Sequence, residues 1–317
     1  MFVIFRRCAL LVLLVLTATA CASGLDRQNF PRATVPEPVP AGEVDDPAVS
    51  PAALRTVDTC AVLRGAAATV GTPAAGWGSV EGFGECGAEV TDAGGKTIRL
   101  NLRLAASLLT ETAPGSAVEG LPLIVEEVDE TCYARVITSR TDLTAIEVQA
   151  SYEDSDACDP ADRVAHDVIE QIHDSPAQLS RLDGSLVTVD PCATVDAAVT
   201  VEVFGRGGEE RPSGLHSCAW HGSTADGTVR LDNTYLPREP DSGVRIDLGG
   251  GVTGYQELDT SGGQRCEITW THLPVSPDQG EAASVEYDNY HEDAGPDDPC
   301  GKARRLVGTI LPKLPKS

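Results

Sequence analysis

The chain has 317 residues, with 48 acidic against 24 basic side chains and a net charge of −24 at neutral pH. So acidic a surface repels phosphate backbones and anionic headgroups, which excludes nucleic acid and charge-driven binding to anionic lipid. Aromatic residues make up only 4% of the sequence, so a fold of this length has few large side chains from which to build a core.

The first 20 residues are predicted to be a signal peptide. Arg6 and Arg7 form a short positive region, and the uncharged apolar run over residues 8–16 is shorter than the roughly 20 residues that span a bilayer. Small residues then lead into Cys21, as in bacterial lipoproteins, whose cysteine thiol takes a diacylglyceryl group. We expect membrane attachment through lipid on Cys21 at the extracytoplasmic face of the cell membrane, with ordinary secretory cleavage as the alternative.

Residues 21–53 are predicted to be a disordered tether. They show no apolar periodicity, and prolines recur among alanine, glutamate and aspartate. These prolines are Pro31, Pro36, Pro38, Pro40, Pro47 and Pro51.

Eight cysteines follow in two sets of four. The first set is Cys60, Cys86, Cys132 and Cys158, and the second is Cys192, Cys218, Cys266 and Cys300. No C-x-x-C pair occurs, so metal ribbons and thioredoxin-like redox sites have no support. Disulfides are the natural interpretation for an exported chain.

The two cysteine sets belong to two copies of one segment. Residues 54–61 and 186–193 agree at six of eight positions, and the string Thr-Ile-Arg-Leu at 97–100 matches Thr-Val-Arg-Leu at 228–231. Internal similarity of this kind indicates a tandem repeat. We therefore predict module 1 at residues 54–174 and module 2 at residues 184–317.

Four of the cysteines lie two residues after an aspartate, and aspartate is a good helix N-cap. These cysteines are Cys60, Cys158, Cys192 and Cys300. Pro191 and Pro299 then take the first helical position, where a missing N–H costs nothing. We predict that all four cysteines lie in the first turn of a helix.

The other four cysteines begin extended segments, in which apolar and polar residues alternate. Residues 98–104, 146–152 and 266–271 show this period of two, which predicts antiparallel strands with one wet face. Each module is thus predicted to be α+β, a twisted antiparallel sheet with an N-terminal helix, a C-terminal helix and two disulfides. We favour Cys60–Cys86, Cys132–Cys158, Cys192–Cys218 and Cys266–Cys300. The pairing of Cys60 with Cys132 and Cys86 with Cys158 stays open.

These features resemble a known family. A short helix opened by Asp-x-Cys-Ala, the strand motif Cys218-Ala219-Trp220, a further strand cysteine and a C-terminal helix are similar to actinobacterial lipoproteins grouped as domain of unknown function 3558. They are also similar in style to the two-disulfide extracellular sensor domains of mycobacterial Ser/Thr kinases. The resemblance covers both modules, although Cys86-Gly87-Ala88 lacks the tryptophan. It implies lipid anchoring and an α+β fold, and it implies no settled activity.

Two patterns superficially indicate ligand sites. Residues 93–97 are similar to the end of a phosphate loop, but Val90 replaces the first glycine and a strand follows where a helix is required, so we predict a turn. Carboxylates cluster before each C-terminal helix and could supply oxygen ligands to Ca²⁺, but they lack the spacing of a calcium loop and are predicted to cap helices. The clusters are Glu153, Asp154, Asp156 and Asp159, and then Glu292, Asp293, Asp297 and Asp298.

The histidines are predicted to be poor metal ligands. His216 and His221 flank Cys218 but have opposite strand parity, whereas His166 and His173 could share a helix face without a further ligand in view.

Tryptophans and serines add no catalytic motif. Trp220 and Trp270 are predicted to lie in the core, and Trp77 lies in a loop-like segment where it could be exposed. No Gly-x-Ser-x-Gly elbow is present.

We predict no catalytic, cofactor-binding or metal-binding residues, and no cofactor. The first hypothesis is therefore a noncatalytic ligand-binding or sensing protein of the cell envelope, with a groove between the modules as the natural site. The alternative is an envelope scaffold or assembly factor that binds another protein. A hydrolase that uses two carboxylates is a third hypothesis, for which no acid–base pair can be placed.

Overall fold

The computed structural model describes residues 39–74, 78–108, 114–153, 155–180, 182–206, 209–240, 242–261, 263–289 and 297–316. The predicted signal peptide and Cys21 lie outside these residues. Residues 37–317 form one compact unit, which contains both predicted modules. None of the helices within the described ranges has the length and apolar character needed to cross a bilayer.

Module 1 is built on one antiparallel sheet. Its elements in chain order are α1 (Pro51–Leu54), α2 (Thr59–Ala67), β1 (Thr72–Pro73), β2 (Ser79–Gly82), β3 (Glu85–Thr91), β4 (Thr97–Ser107), β5 (Ser116–Val118), β6 (Leu121–Val128), β7 (Thr131–Ser139), β8 (Thr144–Tyr152) and α3 (Cys158–Asp174). The strand order is β1-β3-β4-β8-β7-β6-β5, with β2 beside β3.

Module 2 repeats this plan with a second antiparallel sheet. Its elements are α4 (Ala197–Phe204), β9 (Glu209–Gly214), β10 (Ser217–His221), β11 (Asp226–Tyr235), β12 (Gly243–Gly249), β13 (Val252–Asp259), β14 (Gln264–Pro274), β15 (Gln279–Asn289) and α5 (Pro299–Ile310). The order β12-β13-β14-β15-β11-β10-β9 contains the same central arrangement, because β11-β15-β14 corresponds to β4-β8-β7.

The fold is mostly β rather than the balanced α+β that the sequence predicted. Strand residues make up 43% of the described chain and helical residues 24%. Alternation identified the central strands, but the edge strand β9 has the sequence Glu-Glu-Arg-Pro-Ser-Gly, which contains no buried residue and shows no alternation. It was therefore invisible to a search for period two. The other edge strand, β12, does alternate, and its Ile246 and Leu248 pack against the core of module 2.

The helices of each module cover one face of its sheet. α3 buries Val164, Val168, Ile169 and Ile172 against the sheet of module 1. α5 does the same in module 2 with Ala303, Leu306, Val307 and Ile310. Trp220 and Trp270 are fully buried in the core of module 2, which confirms their predicted place. The opposite face of each sheet carries the polar residues of the alternating pattern.

Each disulfide of the structure connects a helical turn to a strand. The bonds are Cys60–Cys86, Cys132–Cys158, Cys192–Cys218 and Cys266–Cys300, the pairs that we favoured, with Cα atoms 5.0–5.2 Å apart. Every aspartate of the Asp-x-Cys triplets accepts a backbone N–H close to its cysteine. Asp58 and Asp298 are helix N-caps, whereas Asp156 and Asp190 close local turns by accepting the N–H of the cysteine itself. In both arrangements the carboxylate orders the turn from which the disulfide departs.

The prediction for Cys192 and Pro191 is partly wrong. Cys192 lies in a 3-10 turn over Cys192–Thr194, and Pro191 precedes that turn as its N-cap. α4 begins only at Ala197. Asp190 accepts the backbone N–H of Cys192, two residues away, so its carboxylate closes a local turn rather than opening the α-helix.

The tether prediction extends too far toward module 1. Val49 is buried in the core of that module, and α1 follows directly. Glu43 accepts hydrogen bonds from the backbone N–H groups of Arg140 and Thr141, at 3.0 and 3.1 Å. Asp46 lies 2.8 Å from the imidazole of His173. Residues 43–53 thus pack on module 1 through these polar contacts and through the buried side chain of Val49.

The sequence match predicts the wrong correspondence between residues of the equivalent strands β4 and β11. That match paired Arg99 with Arg230. The Cα partners of the first strand cysteines are Leu102 for Cys86 and Val229 for Cys218. Counted from these partners, Arg230 corresponds to Arg103. The β3–β4 hairpin of module 1 is longer than the β10–β11 hairpin of module 2, so the two similar strings lie at different positions along their strands.

Each module inserts one apolar side chain into the other. Leu215, in the turn between β9 and β10, is 4% exposed and belongs to the core of module 1. Phe83, in the turn between β2 and β3, packs against the core of module 2. Both residues lie three positions before the strand cysteine of their own module. Equivalent turns of the two copies therefore exchange side chains, and correspondingly β9 lies beside β4 and β2 beside β11.

Polar contacts reinforce this exchange. The Arg55 guanidinium lies 2.8 Å from the carboxylate of Asp190, and its Nε donates to the backbone carbonyl of Leu215 at 3.1 Å. The backbone N–H of Phe83 donates to the carboxylate of Asp232 at 3.3 Å. Because the side chain of Arg55 is only 12% exposed, this pair is shielded from water more than a surface ion pair.

We expect the double substitution Cys192→Ala with Cys218→Ala to lower the free energy of unfolding by about 3.5 kcal/mol, because the disulfide closes a loop of roughly 27 residues. Urea unfolding of the oxidised variant and wild type measures the difference. Reduction of the wild type should lower stability further, since it opens the other three bonds. Equal stability of variant and wild type would show that this disulfide carries no constraint.

We expect Leu215→Ala to cost about 2–5 kcal/mol, because it opens a cavity in the core of module 1. Since Leu215 belongs to module 2, the loss should also weaken coupling between the modules and split one calorimetric transition into two. The control is Leu258→Ala, because that leucine is 48% exposed, and it should cost less than about 0.5 kcal/mol. A single unshifted transition for Leu215→Ala would contradict the exchange.

Candidate functional site

A cleft of about 440 Å³ lies where the exchanged turns meet. We call it the intermodule cleft. Module 1 contributes Gly82–Glu85, Arg103 and Ala105, and module 2 contributes Ser213–Ser217, Ala219, Thr228 and Arg230–Asp232. The same two turns that hold the modules together therefore also form the walls of the cleft.

The cleft is lined by equivalent positions of the two copies. On β3 and β4, Glu85 lies opposite Arg103, and on β10 and β11, Ser217 lies opposite Arg230. Counted from the disulfide cysteines, these pairs correspond. Two guanidinium groups thus reach one cleft from the same position in each repeat. Glu85 and Asp232 line the same cleft, so its two positive side chains are matched by two acidic ones.

Two titratable groups of the cleft are shifted by burial. Burial raises the pKa of Asp232, although the backbone N–H groups of Asn233 and Phe83 donate to its carboxylate and oppose the shift. Burial lowers the pKa of His216 to about 4, and its Nε2 donates to the carbonyl of Val187 at 2.8 Å. The imidazole is therefore neutral at pH 7, and it packs against the Phe83 ring with centroids 4.6 Å apart.

The hydroxyls and the imidazole of the cleft have separate hydrogen-bond partners. The hydroxyls of Ser213 and Ser217 bond to each other at 2.7 Å. The His216 ring donates to a backbone carbonyl, and its Nδ1 has no hydrogen-bond partner among the described residues. No serine–imidazole hydrogen bond forms among the described residues that line this cleft. The groups of the cleft that could donate hydrogen bonds to a ligand are guanidinium, hydroxyl and backbone amide groups, and the Phe83 ring lies beside them.

A second cavity of about 270 Å³ lies next to the Arg55–Asp190 ion pair. It shares Ala105, Gly214, Leu215 and Ser217 with the intermodule cleft. The interface between the modules is therefore incompletely packed on both sides of the Leu215 turn.

The structure does not bring the predicted histidines together. His173 bonds to Asp46, whereas His166 faces Asp162 at 3.9 Å. His216 is buried, and the exposed His221 contacts Asp226 at 3.1 Å. Each described histidine named in the sequence analysis thus has its own separate partner.

The described members of the acidic clusters serve local structure. Asp156 accepts the backbone N–H of Cys158, and Asp159 contacts Arg163 at 3.3 Å. Asp298 caps α5. Asp154, Glu292 and Asp293 lie outside the described residues, as does Trp77. Their predicted roles stay predictions.

Asp297 is neutralised by a lysine. Burial alone would raise the pKa of this carboxyl, but hydrogen bonds from Tyr287, Asn289 and Lys302 outweigh burial and lower it to about 2. The Lys302 ammonium lies 2.9 Å from the carboxylate. These contacts join the start of α5 to β15, so the Asp297 carboxylate is paired with a lysine and serves a structural role.

The remaining motifs are also structural. Residues 92–96 form the turn between β3 and β4, in which Asp92 accepts the backbone N–H of Lys96 at 2.7 Å. Gly249, Gly250 and Gly251 connect β12 and β13 with positive φ angles that favour glycine. Cys192, Glu210 and Cys218 lie close enough together to resemble a metal site, but the two cysteines are joined in a disulfide.

Sequence reasoning missed the residues that form the intermodule cleft. A signal existed, because Phe83 and Leu215 are single large apolar residues that occupy the same place in the two repeats, next to glycine. Each of these residues lies in a glycine-containing turn, three positions before a buried cysteine, and packs on the core of the other module instead of its own. Arg103 and Arg230 could not be paired, because the identical strings gave the wrong alignment of their strands.

No family model, curated protein or solved structure matches the chain.

We expect the free energy of unfolding to fall as the pH decreases from about 7 to 4, in part because of His216. The unfolded imidazole takes up a proton near its ordinary pKa of 6.5, whereas the folded one stays neutral down to about 4. The stabilising contribution is therefore present at neutral pH and lost on acidification, by about 3 kcal/mol over this window.

The measurement is urea unfolding of wild type and His216→Gln at pH 7 and pH 4.5. Glutamine does not titrate and can donate to the Val187 carbonyl, so the variant should lose less stability on acidification. The control is His221→Gln, because His221 is exposed, and it should follow the wild-type curve. Equal pH dependence of His216→Gln and wild type would contradict the assignment.

Proposed function

We propose that the protein is an exported, lipid-anchored, noncatalytic ligand-binding or sensing protein whose ligand occupies the intermodule cleft. The observation that carries this proposal is that equivalent turns of two repeats form both the contact between the modules and the cleft. A ligand there would touch both modules at once. Its binding would be coupled to their relative arrangement.

The size and chemistry of the cleft support a small polar ligand. Its volume of about 440 Å³ falls within the range of small-molecule sites, roughly 300–1,000 Å³. Arg103 and Arg230 supply guanidinium donors, and Phe83 supplies an apolar surface. Glu85 and Asp232 lie in the same wall, so a ligand with an anionic group and separate hydrogen-bond donors is the best match.

The cellular setting follows from the sequence and belongs to the same proposal. Lipid on Cys21 would hold the protein on the extracytoplasmic face of the cell membrane, where disulfides form and persist. The resemblance to the lipoproteins of domain of unknown function 3558 supports this placement through its cysteine frame. Membership of that family remains part of the proposal.

We expect thermal-shift screening of the chain from residue 22 onward to find a ligand among envelope lipids, glycans and peptides. This chain contains the whole compact unit that begins at residue 37. A ligand that binds only the folded state raises the melting temperature, by an amount that grows with its concentration relative to Kd. Calcium belongs in the same screen, since part of each acidic cluster lies outside the described residues.

The variant Ala219→Phe should abolish the shift, because Ala219 lines the cleft from β10 and a phenyl ring there would fill it. Thr91→Phe is the matched control, since it adds the same ring at an exposed position of β3 outside the cleft. A ligand that shifts Ala219→Phe as much as wild type would place the site elsewhere. No shift from any compound would favour an envelope scaffold, and turnover of a screened compound would favour the hydrolase.

A further inference from the structure

A buried carboxylate on the polar face of module 1 is held by two arginines. Glu147 on β8 lies 2.9 Å from the guanidinium of Arg103 on β4 and 2.6 Å from that of Arg135 on β7. The Glu147 side chain is only 6% exposed. The three residues are direct Cα partners across three neighbouring strands. Module 1 therefore fills this part of its sheet face with an internal ion-pair network.

Module 2 retains one arginine of this network and lacks its carboxylate. The corresponding row on β11, β15 and β14 is Arg230, Ser284 and Thr269, which are again direct Cα partners. Serine thus replaces Glu147, and threonine replaces Arg135. Among the described residues, no carboxylate lies within 4 Å of the Arg230 guanidinium.

A pocket of about 400 Å³ occupies the place of the missing side chains. Arg230, Ser284, Thr269 and Tyr255 line its base, and the segment 237–240 contributes Pro237 and Pro240 to its wall. Tyr255 is the next residue of the same row, opposite Thr269. The pocket therefore combines a guanidinium, two hydroxyls and an aromatic ring at a site that the other copy fills with its own carboxylate.

We propose that this pocket binds a small organic carboxylate, whose carboxylate group takes the place that Glu147 occupies in module 1. Arg230 would donate to it, and the hydroxyls of Ser284 and Thr269 would add the donors that replace Arg135. A guanidinium forms paired hydrogen bonds with a planar carboxylate.

The rest of the pocket restricts the body of the ligand. Besides Arg230, the pocket is lined by one more cation, Arg238, and by three carboxylates, which would repel a second anionic group. These carboxylates are Asp232, Glu257 and Glu267. Burial, and then the neighbouring Glu286, raise the pKa of Glu267, and the positive charges of Arg265 and Arg230 oppose this shift. A monocarboxylate with a neutral body and a hydrogen-bond donor is the class that fits. This proposal does not rest on the intermodule cleft, although Arg230 lines both sites.

The test uses hippurate, a monocarboxylate with an amide N–H and an aromatic ring, and hippuramide, its uncharged counterpart. Both are titrated at low ionic strength into the chain from residue 22 onward, with backbone amide NMR as the readout. We expect hippurate to bind with a Kd of about 10 mM or tighter and hippuramide to bind at least about tenfold more weakly. Signals of Tyr255, Thr269 and Ser284 should move, and those of Phe83 and Leu215 should not.

The decisive variant is Ser284→Glu, which gives module 2 the carboxylate of module 1. It should fold, because it supplies an ion-pair partner for Arg230, and it should weaken hippurate binding at least about tenfold. Ser151→Glu makes the same change on the polar face of module 1 and should bind hippurate as wild type does. Arg230→Gln is a second route, should Ser284→Glu fail to fold, and it should abolish the preference for hippurate over hippuramide.

Several results would overturn the proposal. These are equal binding of the acid and its amide, unchanged binding by a folded Ser284→Glu variant, or no binding at about 20 mM hippurate. Shifts confined to Phe83 and Leu215 would assign the carboxylate to the intermodule cleft instead. Since Ser284 lies outside that cleft, the two sites succeed or fail separately.

Discussion

Disulfides hold the helical turns of each module against one face of its sheet, and this attachment sets which face of the sheet is core and which is polar. With few aromatic side chains in the chain, each module relies on two disulfides that hold helical turns against strands. The aspartate before each helical-turn cysteine orders that turn by accepting a backbone N–H. Because the helices cover one face, the polar residues of the alternating strands remain on the other face. The pocket lined by Arg230, Thr269 and Ser284 lies on that polar face in module 2.

The two repeats form one compact unit because they exchange equivalent side chains. Leu215 completes the core of module 1, and Phe83 packs against the core of module 2. Leu215 is thereby removed from water and Phe83 is partly removed, and a fully buried side chain favours the joined state by roughly 1.5–3 kcal/mol. The ion pair of Arg55 with Asp190 adds a directional contact at the same interface. Association and cleft formation thus share a single structural cause.

Comparison of the two copies shows how their polar faces diverged. The row Arg103, Glu147 and Arg135 is closed by its own charges, whereas the row Arg230, Ser284 and Thr269 leaves space above the sheet. Replacement of two long side chains by two short ones removes volume without disturbing the strands. Strand pairing depends on the backbone, and these side chains project from the face away from the helices. A duplicated sheet can therefore keep its core while one copy opens a pocket.

The repeat, the cysteine frame, the helical turns at Asp-x-Cys and the central strands could all be predicted from the amino-acid sequence. These features depend on local capping and on the period of the alternation between apolar and polar residues. Four features could be identified only in the folded structure. They are the edge strand β9, the packing of residues 43–53, the equivalence of Arg103 with Arg230, and the exchange of Leu215 and Phe83 between the modules. Each of these depends on partners that are distant along the chain. A difference in hairpin length shifts strand alignment without changing local composition, and a turn residue reveals its burial only when the other module is in place.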